Sequence, residues 1–208
     1  MTLHALGKKL AAATTITLAG MLPLLGLFFT VHATTESDEI PMALVSDVHE
    51  VPSFSLDAVT DDVLWLARCI YSETKRADEQ ELVAWVIRNR VETGYRGATT
   101  YEGTVLDPYQ FSAFNPGNPK RRLYTSLSPT PDSPAFVRAL EVAHGVYYAH
   151  ESARPFDAKT RHFYSERSMV GRSQPNWAEG ETPVRLTGFR IDPRRFRFYK
   201  GVAAVVNL

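Results

Sequence analysis

A glutamate closing an apolar helical stripe is the first residue in this chain with a chemical prospect. In Leu66-Ala67-Arg68-Cys69-Ile70-Tyr71-Ser72-Glu73-Thr74, residues Val63, Leu66, Ile70 and Glu73 follow one another at spacings of three, four and three. Those spacings put all four on one helical face. Three of the four are apolar, so Glu73 ends a stripe that should be buried. A carboxylate there is costly to keep charged, and its pKa should rise. A carboxyl that stays protonated near neutral pH can act as a proton donor, as cleavage of a glycosidic bond requires.

The elements that would position Glu73 can be read around it. Thr60-Asp61-Asp62 starts a helix with acids in its first turn, and the helix runs to about Lys75. Asp78 with Glu81 reads as a capping box opening a second helix, carried by Leu82, Val83, Trp85, Val86 and Ile87 and ending before Gly94. Asn89 falls on the face of Leu82 and Val86, where a structural hydrogen-bonding role is the preferred reading over a cleft-facing one. Residues 94–122 read mostly as loop, with a short helical turn at Tyr101–Leu106. Within them Tyr109-Gln110-Phe111-Ser112-Ala113-Phe114-Asn115 is aromatic and polar, the texture of a functional loop. Ser133-Pro134 opens a third long helix with Phe136, Leu140, Ala143 and Tyr147 as its stripe. Strand-like alternation then occupies Arg161–Tyr164, Pro183–Thr187 and Phe196–Tyr199, with the loop Gln174–Gly180 between the first two. Helices first and strands later argue for an α+β domain.

The 208-residue chain carries 23 basic and 23 acidic residues. That balance, without long basic runs, argues against nucleic acid as a partner. Its single cysteine, Cys69, excludes an intrachain disulfide and a cysteine-based zinc site. Cys69 reads as a small buried hydrophobe rather than a nucleophile. Residues 1–33 are of different material. Lys8 and Lys9 precede a nearly uncharged apolar run, 10–31, ending in Val31-His32-Ala33. This is the pattern of an export signal, or of a membrane anchor through 10–31 if it is retained. Either way the rest of the chain is expected outside the cytoplasm, in the periplasm, the cell envelope or the extracellular space. Residues 34–57 read as a linker, leaving 58–208 as the domain that does the work.

The stretch Leu66–Val91, the Gln110-Phe111-Ser112 segment and the ending His162-Phe163-Tyr164, Pro175-Asn176-Trp177-Ala178 and Phe198-Tyr199 together resemble the SleB/CwlJ-type cell wall hydrolases, the spore-cortex-lytic enzymes and their relatives. The resemblance spans about two-thirds of the chain. It implies a lysozyme-like domain with an N-terminal helical lobe and a small C-terminal antiparallel β-lobe. It also implies peptidoglycan glycan strands as partner, lytic transglycosylase cleavage of the MurNAc–GlcNAc bond, and Glu73 as the single catalytic glutamate, with no cofactor and no metal. The chain departs from the family pattern at Thr74-Lys75-Arg76-Ala77, at Phe196 and in the connection from Gly188 to the last strand.

With a glycan in view, the Gln110 amide and the Ser112 hydroxyl become candidates for binding acetamido or hydroxyl groups; a loop tied to its own backbone is the competing reading. Tyr71 and Trp177 are candidate stacking platforms, against the alternative of core packing. His162 either lines the cleft or hydrogen-bonds within the β-lobe. A hydrolase would want a second acid, for which Asp78, Glu79, Glu102 and Asp107 are available and none stands out. The rival enzyme class is a metal-dependent N-acetylmuramoyl-L-alanine amidase, needing converging ligands from His49, His144, His150 and His162; His144 and His150 do not share a helical face. The non-enzymatic rival is a peptidoglycan-binding or morphogenetic protein.

Overall fold

Thr60 caps the first helix as expected, its hydroxyl accepting from the Val63 N–H at 3.3 Å. The computed structural model describes residues 50–169, 171 and 174–203. Helix α1 runs Asp61–Glu73 and buries Val63, Leu66, Ala67, Cys69 and Ile70. It stops because Thr74 turns extended while its N–H still bonds the Ile70 carbonyl. Glu73 is therefore the last helical residue.

Helix α2, Ala77–Glu92, begins earlier than the Asp78–Glu81 pattern suggests. Arg76 holds the cap position without a side-chain cap bond. The turn is fixed instead from outside the helix. The Thr74 hydroxyl donates to Glu79 at 2.5 Å, and the Gln80 amide donates to the Thr74 carbonyl at 2.9 Å. Glu81 plays no capping part. The helix ends at Gly94, whose φ of 56° supplies the left-handed residue that closes a helix readily.

The short helix α3, Tyr101–Leu106, is capped by Thr100, and α4, Arg121–Thr125, follows the aromatic loop. Helix α5, Pro134–Tyr148, has proline in its first turn; Phe136, Leu140 and Ala143 are buried as its stripe requires, and Tyr147 is half-buried. Helices α1, α2 and α5 pack around a core holding Leu66, Ile70, Leu82, Trp85, Ile87, Phe136 and Leu140. Each such buried side chain contributes about 1.5–3 kcal/mol of burial free energy. Packing begins upstream of the expected boundary at residue 58: Phe54 and Leu56 lean on this core, and the Phe54 ring meets His144 edge-on at 5.6 Å.

Two strands complete the architecture, β1 (Thr160–Tyr164) and β2 (Arg197–Lys200), paired antiparallel with Phe163 opposite Phe198 and Tyr164 opposite Arg197. The chain is thus α+β, with helices first and a two-stranded sheet last. Strand alternation splits the aromatics. Phe163 and Phe198 face the helical core, while Tyr164 and Tyr199 form a second cluster with Ala178, Val202 and Trp177. Asn89 of α2 ties the sheet to the helices, its amide donating to the carbonyls of Asp157 and Thr160 at 3.3 and 2.9 Å. The structural reading of Asn89 is the observed one.

Residues 183–187, expected as a strand, do not form one. Pro183 has no N–H to give to a ladder, and the segment contributes one bond, from Val184 N–H to the Phe198 carbonyl at 2.8 Å. Among the described residues no helix is long and apolar enough to cross a membrane. The apolar run 10–31 and most of the expected linker lie outside the described residues.

Candidate active site

Because α1 ends at Glu73, its carboxyl emerges from the core at the wall of a cavity of about 570 Å³. The loop at 109–115, the end of β1, the 165–169 segment, Trp177 and the Arg195–Phe196 approach to β2 supply the remaining walls. Glu73 is the only carboxylate lining this cavity among the described residues. Burial pushes its pKa up to about 7, against a smaller opposing pull from the Arg90 guanidinium. Near neutral pH the group is therefore shared between acid and base forms, as the sequence position predicts.

The other acids are engaged elsewhere. Glu79 is fully buried, yet two charge-assisted bonds from Arg195, Nε at 2.5 Å and Nη2 at 2.8 Å, join that of Thr74. Burial alone would raise the Glu79 pKa; the Arg195 and Thr74 bonds outweigh it and hold the carboxyl below its usual value. Asp107 is held by Arg96 at 2.6 Å. Asp78 lies 3.7 Å from Arg76, and Glu102 is exposed on α3. None of these four expected second acids lines the cavity.

Gln110, Ser112 and Trp177 do line it with Glu73. Trp177 is braced by Tyr199, Tyr164 and His162, with ring centroids 5.4, 5.9 and 5.1 Å away. This fixes an indole at the cavity wall. Tyr71 is placed differently. It packs edge-on against Phe136 at 5.3 Å and Tyr124 at 6.3 Å, under the Lys75 ammonium, and does not line the cavity. Its position in the helix directs it back onto the α5 stripe rather than toward Glu73.

His162 lines a smaller adjoining pocket, together with Trp177 and Gln110. Its Nε2 lies 2.9 Å from the Tyr95 hydroxyl. Burial, reinforced by Arg90 and Arg161, pushes its pKa down to about 4, so the ring is neutral at physiological pH. Of the other histidines, His144 packs against Phe54 and Tyr148, His150 bonds Ser152, and His49 lies outside the described residues. Among the described residues no three His, Cys, Asp or Glu groups converge as metal ligands would. Cys69 is buried in the core, and burial pushes its thiol far up, as suits a packing residue.

Several lining residues carry no advance mark. Tyr109 stands at the rim, 77% exposed, with a left-handed backbone at φ 66°. Its N–H is held by the Asn115 side chain at 2.8 Å. Arg90, Asn115, Arg167 and Arg195 also face the cavity. The functional texture of the 109–115 loop was the signal for Tyr109 and Asn115, and the Asn89-Arg90-Val91 helix end of the family-like stretch was that for Arg90; for Arg167 and Arg195 no local signal exists.

The arrangement is one desolvated carboxyl on an otherwise acid-free wall, opposite a braced indole and amide and hydroxyl groups. It can donate and take back one proton, and it can hold a planar or ring-shaped polar ligand. Comparison with protein-family models, with curated proteins and with solved structures gives no match for this chain.

Proposed function

We propose that this is an exported peptidoglycan-cleaving enzyme, a lytic transglycosylase with a lysozyme-like domain that cuts the MurNAc–GlcNAc bond with Glu73 as its single acid and base. The observation that carries the proposal is the solitude of Glu73: the only carboxylate among the described residues on a cavity of about 570 Å³, with its pKa lifted to about 7. Its resemblance to the SleB/CwlJ-type hydrolases points the same way.

In this reading protonated Glu73 gives its proton to the glycosidic oxygen as the bond to the muramyl C1 breaks. The N-acetylglucosamine end leaves as an alcohol, and positive charge develops at C1. The muramyl 6-hydroxyl then bonds to C1 and passes its proton to the Glu73 carboxylate. The acid is restored, no water is consumed, and no second carboxylate is needed. Trp177 stacks on a sugar ring, while Gln110 and Ser112 meet its acetamido or hydroxyl groups.

Digestion of purified peptidoglycan, with fragments weighed by mass spectrometry, tests this directly. Anhydro-muramyl ends are expected. Reducing ends would replace the transglycosylase with a hydrolase, free stem peptides would sink both in favour of an amidase, and wall binding without products would leave a binding protein. Glu73→Gln should fold normally and lose about 10²–10⁴-fold in rate, the usual contribution of a positioned acid. Near-full activity would remove Glu73 from the mechanism.

A further inference from the structure

Arg90 is the one arginine or lysine among the described residues that is buried, 5% exposed. Its Nε donates to the Arg161 carbonyl at 2.7 Å. Its guanidinium lies 5.0 Å from the Phe111 ring and 5.3 Å from Tyr95. Its Nη1 is buried and has no partner among the described residues. The contrast with Arg195 and Arg96 is plain, for each of those grips a carboxylate. A buried charge with neither ion pair nor full hydrogen bonding is unfavourable, and contacts with two aromatic faces offset only part of that.

The position of Arg90 gives the vacancy a meaning. It lines the Glu73 cavity and also the adjoining pocket of about 200 Å³. That pocket is walled further by Tyr95, His162, Trp177 and Val202, and no carboxylate among the described residues lines it. His162 brings a second unpartnered group, its buried Nδ1. When the Tyr95 hydroxyl donates to Nε2, the hydrogen of the neutral ring sits on Nδ1, which is then a second unused donor. A cation with one N–H unused and a second unused donor, beside a braced indole, suit one kind of chemical group, an anion.

We propose that this side pocket is an anion subsite, which takes a carboxylate carried by the glycan through a charge-assisted bond from Arg90 while the adjacent bond lies at Glu73. The inference rests on the glycan-cleaving reading above. On a muramyl unit the carboxylate has two sources, the free lactyl group or the peptide stem attached to it. Gln110 and Trp177 line both cavities, so one substrate can span them.

The test compares kcat/KM on stem-bearing peptidoglycan, on glycan stripped to free lactyl carboxylates, and on each with its carboxyls converted to amides. The amidated forms should be cut at least about tenfold less well, the size of one charge-assisted bond. The form that suffers most from amidation identifies the source of the anion. Arg90→Gln should abolish this acid-to-amide ratio, and Arg90→Lys should restore part of it. Losing the cation also shifts the acidity of Glu73, but equally for every substrate, so the ratio isolates the subsite. Equal cleavage of acid and amide by the wild-type protein overturns the inference and needs no variant to fold. A second measurement is independent of turnover: Trp fluorescence titration of Glu73→Gln with N-acetylmuramic acid and with its methyl ester. At least tenfold tighter binding of the acid is expected, and equal binding overturns the subsite. Selective binding of the acid by a protein that cuts no glycan would retain the subsite and overturn the glycosidase reading.

Discussion

Two local facts give Glu73 its acidity. Helical spacing places it on the buried face, and the extended Thr74 makes it the helix end. Its raised pKa has a consequence for stability. A carboxyl whose folded pKa lies above its unfolded one stabilises the fold fully below the unfolded pKa, and that contribution is lost as pH rises through the folded value. With a rise from 4.5 to about 7, at about 1.4 kcal/mol per unit, the contribution is at most about 3.5 kcal/mol. Thermal melts of wild type should therefore fall, relative to Glu73→Gln, as pH goes from 4.5 to 8. A constant difference across that range would contradict the burial. Catalysis should fail on the same rise, since the proton donor disappears above about 7. Tyr109 illustrates what was not legible. Glycine would have announced a left-handed backbone, but here tertiary bonds impose it on an exposed tyrosine. Such a conformation costs about 1–2 kcal/mol, of which glycine's looser unfolded chain gives back part. Tyr109→Gly should stabilise the protein by roughly 0.5–1 kcal/mol in urea unfolding while weakening glycan binding. The burial of Arg90 was equally hidden. By itself Arg90 reads as an ordinary charge near a helix end, and only β1 lying across α2 buries it.

At the scale of elements, periodicity delivered α1, α2 and α5, because a helix satisfies its own backbone and needs only one apolar stripe. The start of α2 and the middle strand were misread for related reasons. Asp78 and Glu81 imitate a capping box, while the side chain that fixes the turn is Glu79, bonded to an arginine 116 residues away. Nothing near Glu79 in sequence hints at Arg195. Residues 183–187 have strand-like alternation, but alternation does not create a partner edge, and Pro183 removes a donor. The Glu79–Arg195 pair fastens the α1–α2 turn to the approach of β2. Glu79→Gln leaves the part-exposed Arg195 guanidinium without its buried counter-charge and should destabilise by about 1–3 kcal/mol. A double-mutant cycle with Arg195→Met, read by urea unfolding, should show strong coupling; additive effects would mean the pair is not fastening anything. Because the folded pKa of Glu79 is held down, this contribution exists at neutral pH and is lost on acidification through the carboxylate range.

At the scale of the whole molecule, the division between the legible and the hidden follows sequence distance. The helical body is built from neighbours, and the cavity from strangers: Glu73 at one end of the order, Phe163, Trp177, Arg195 and Phe196 at the other. A two-stranded sheet is marginal by itself, so the β-lobe is held by α2, through Asn89, and by its own aromatic clusters. A chain ending at Asp157 should keep much of its helical circular dichroism and cut no glycan. Activity in such a fragment would show that the helical face alone suffices. The separation also sets a clock. A ribosome makes Glu73 before the far wall of its cavity, so a growing chain holds the acid before it holds the rest of the site. On the proposed activity, the capacity to cut arrives only when Trp177, Arg195 and Phe196 join Glu73, and a copy lacking them would spare the glycan around it.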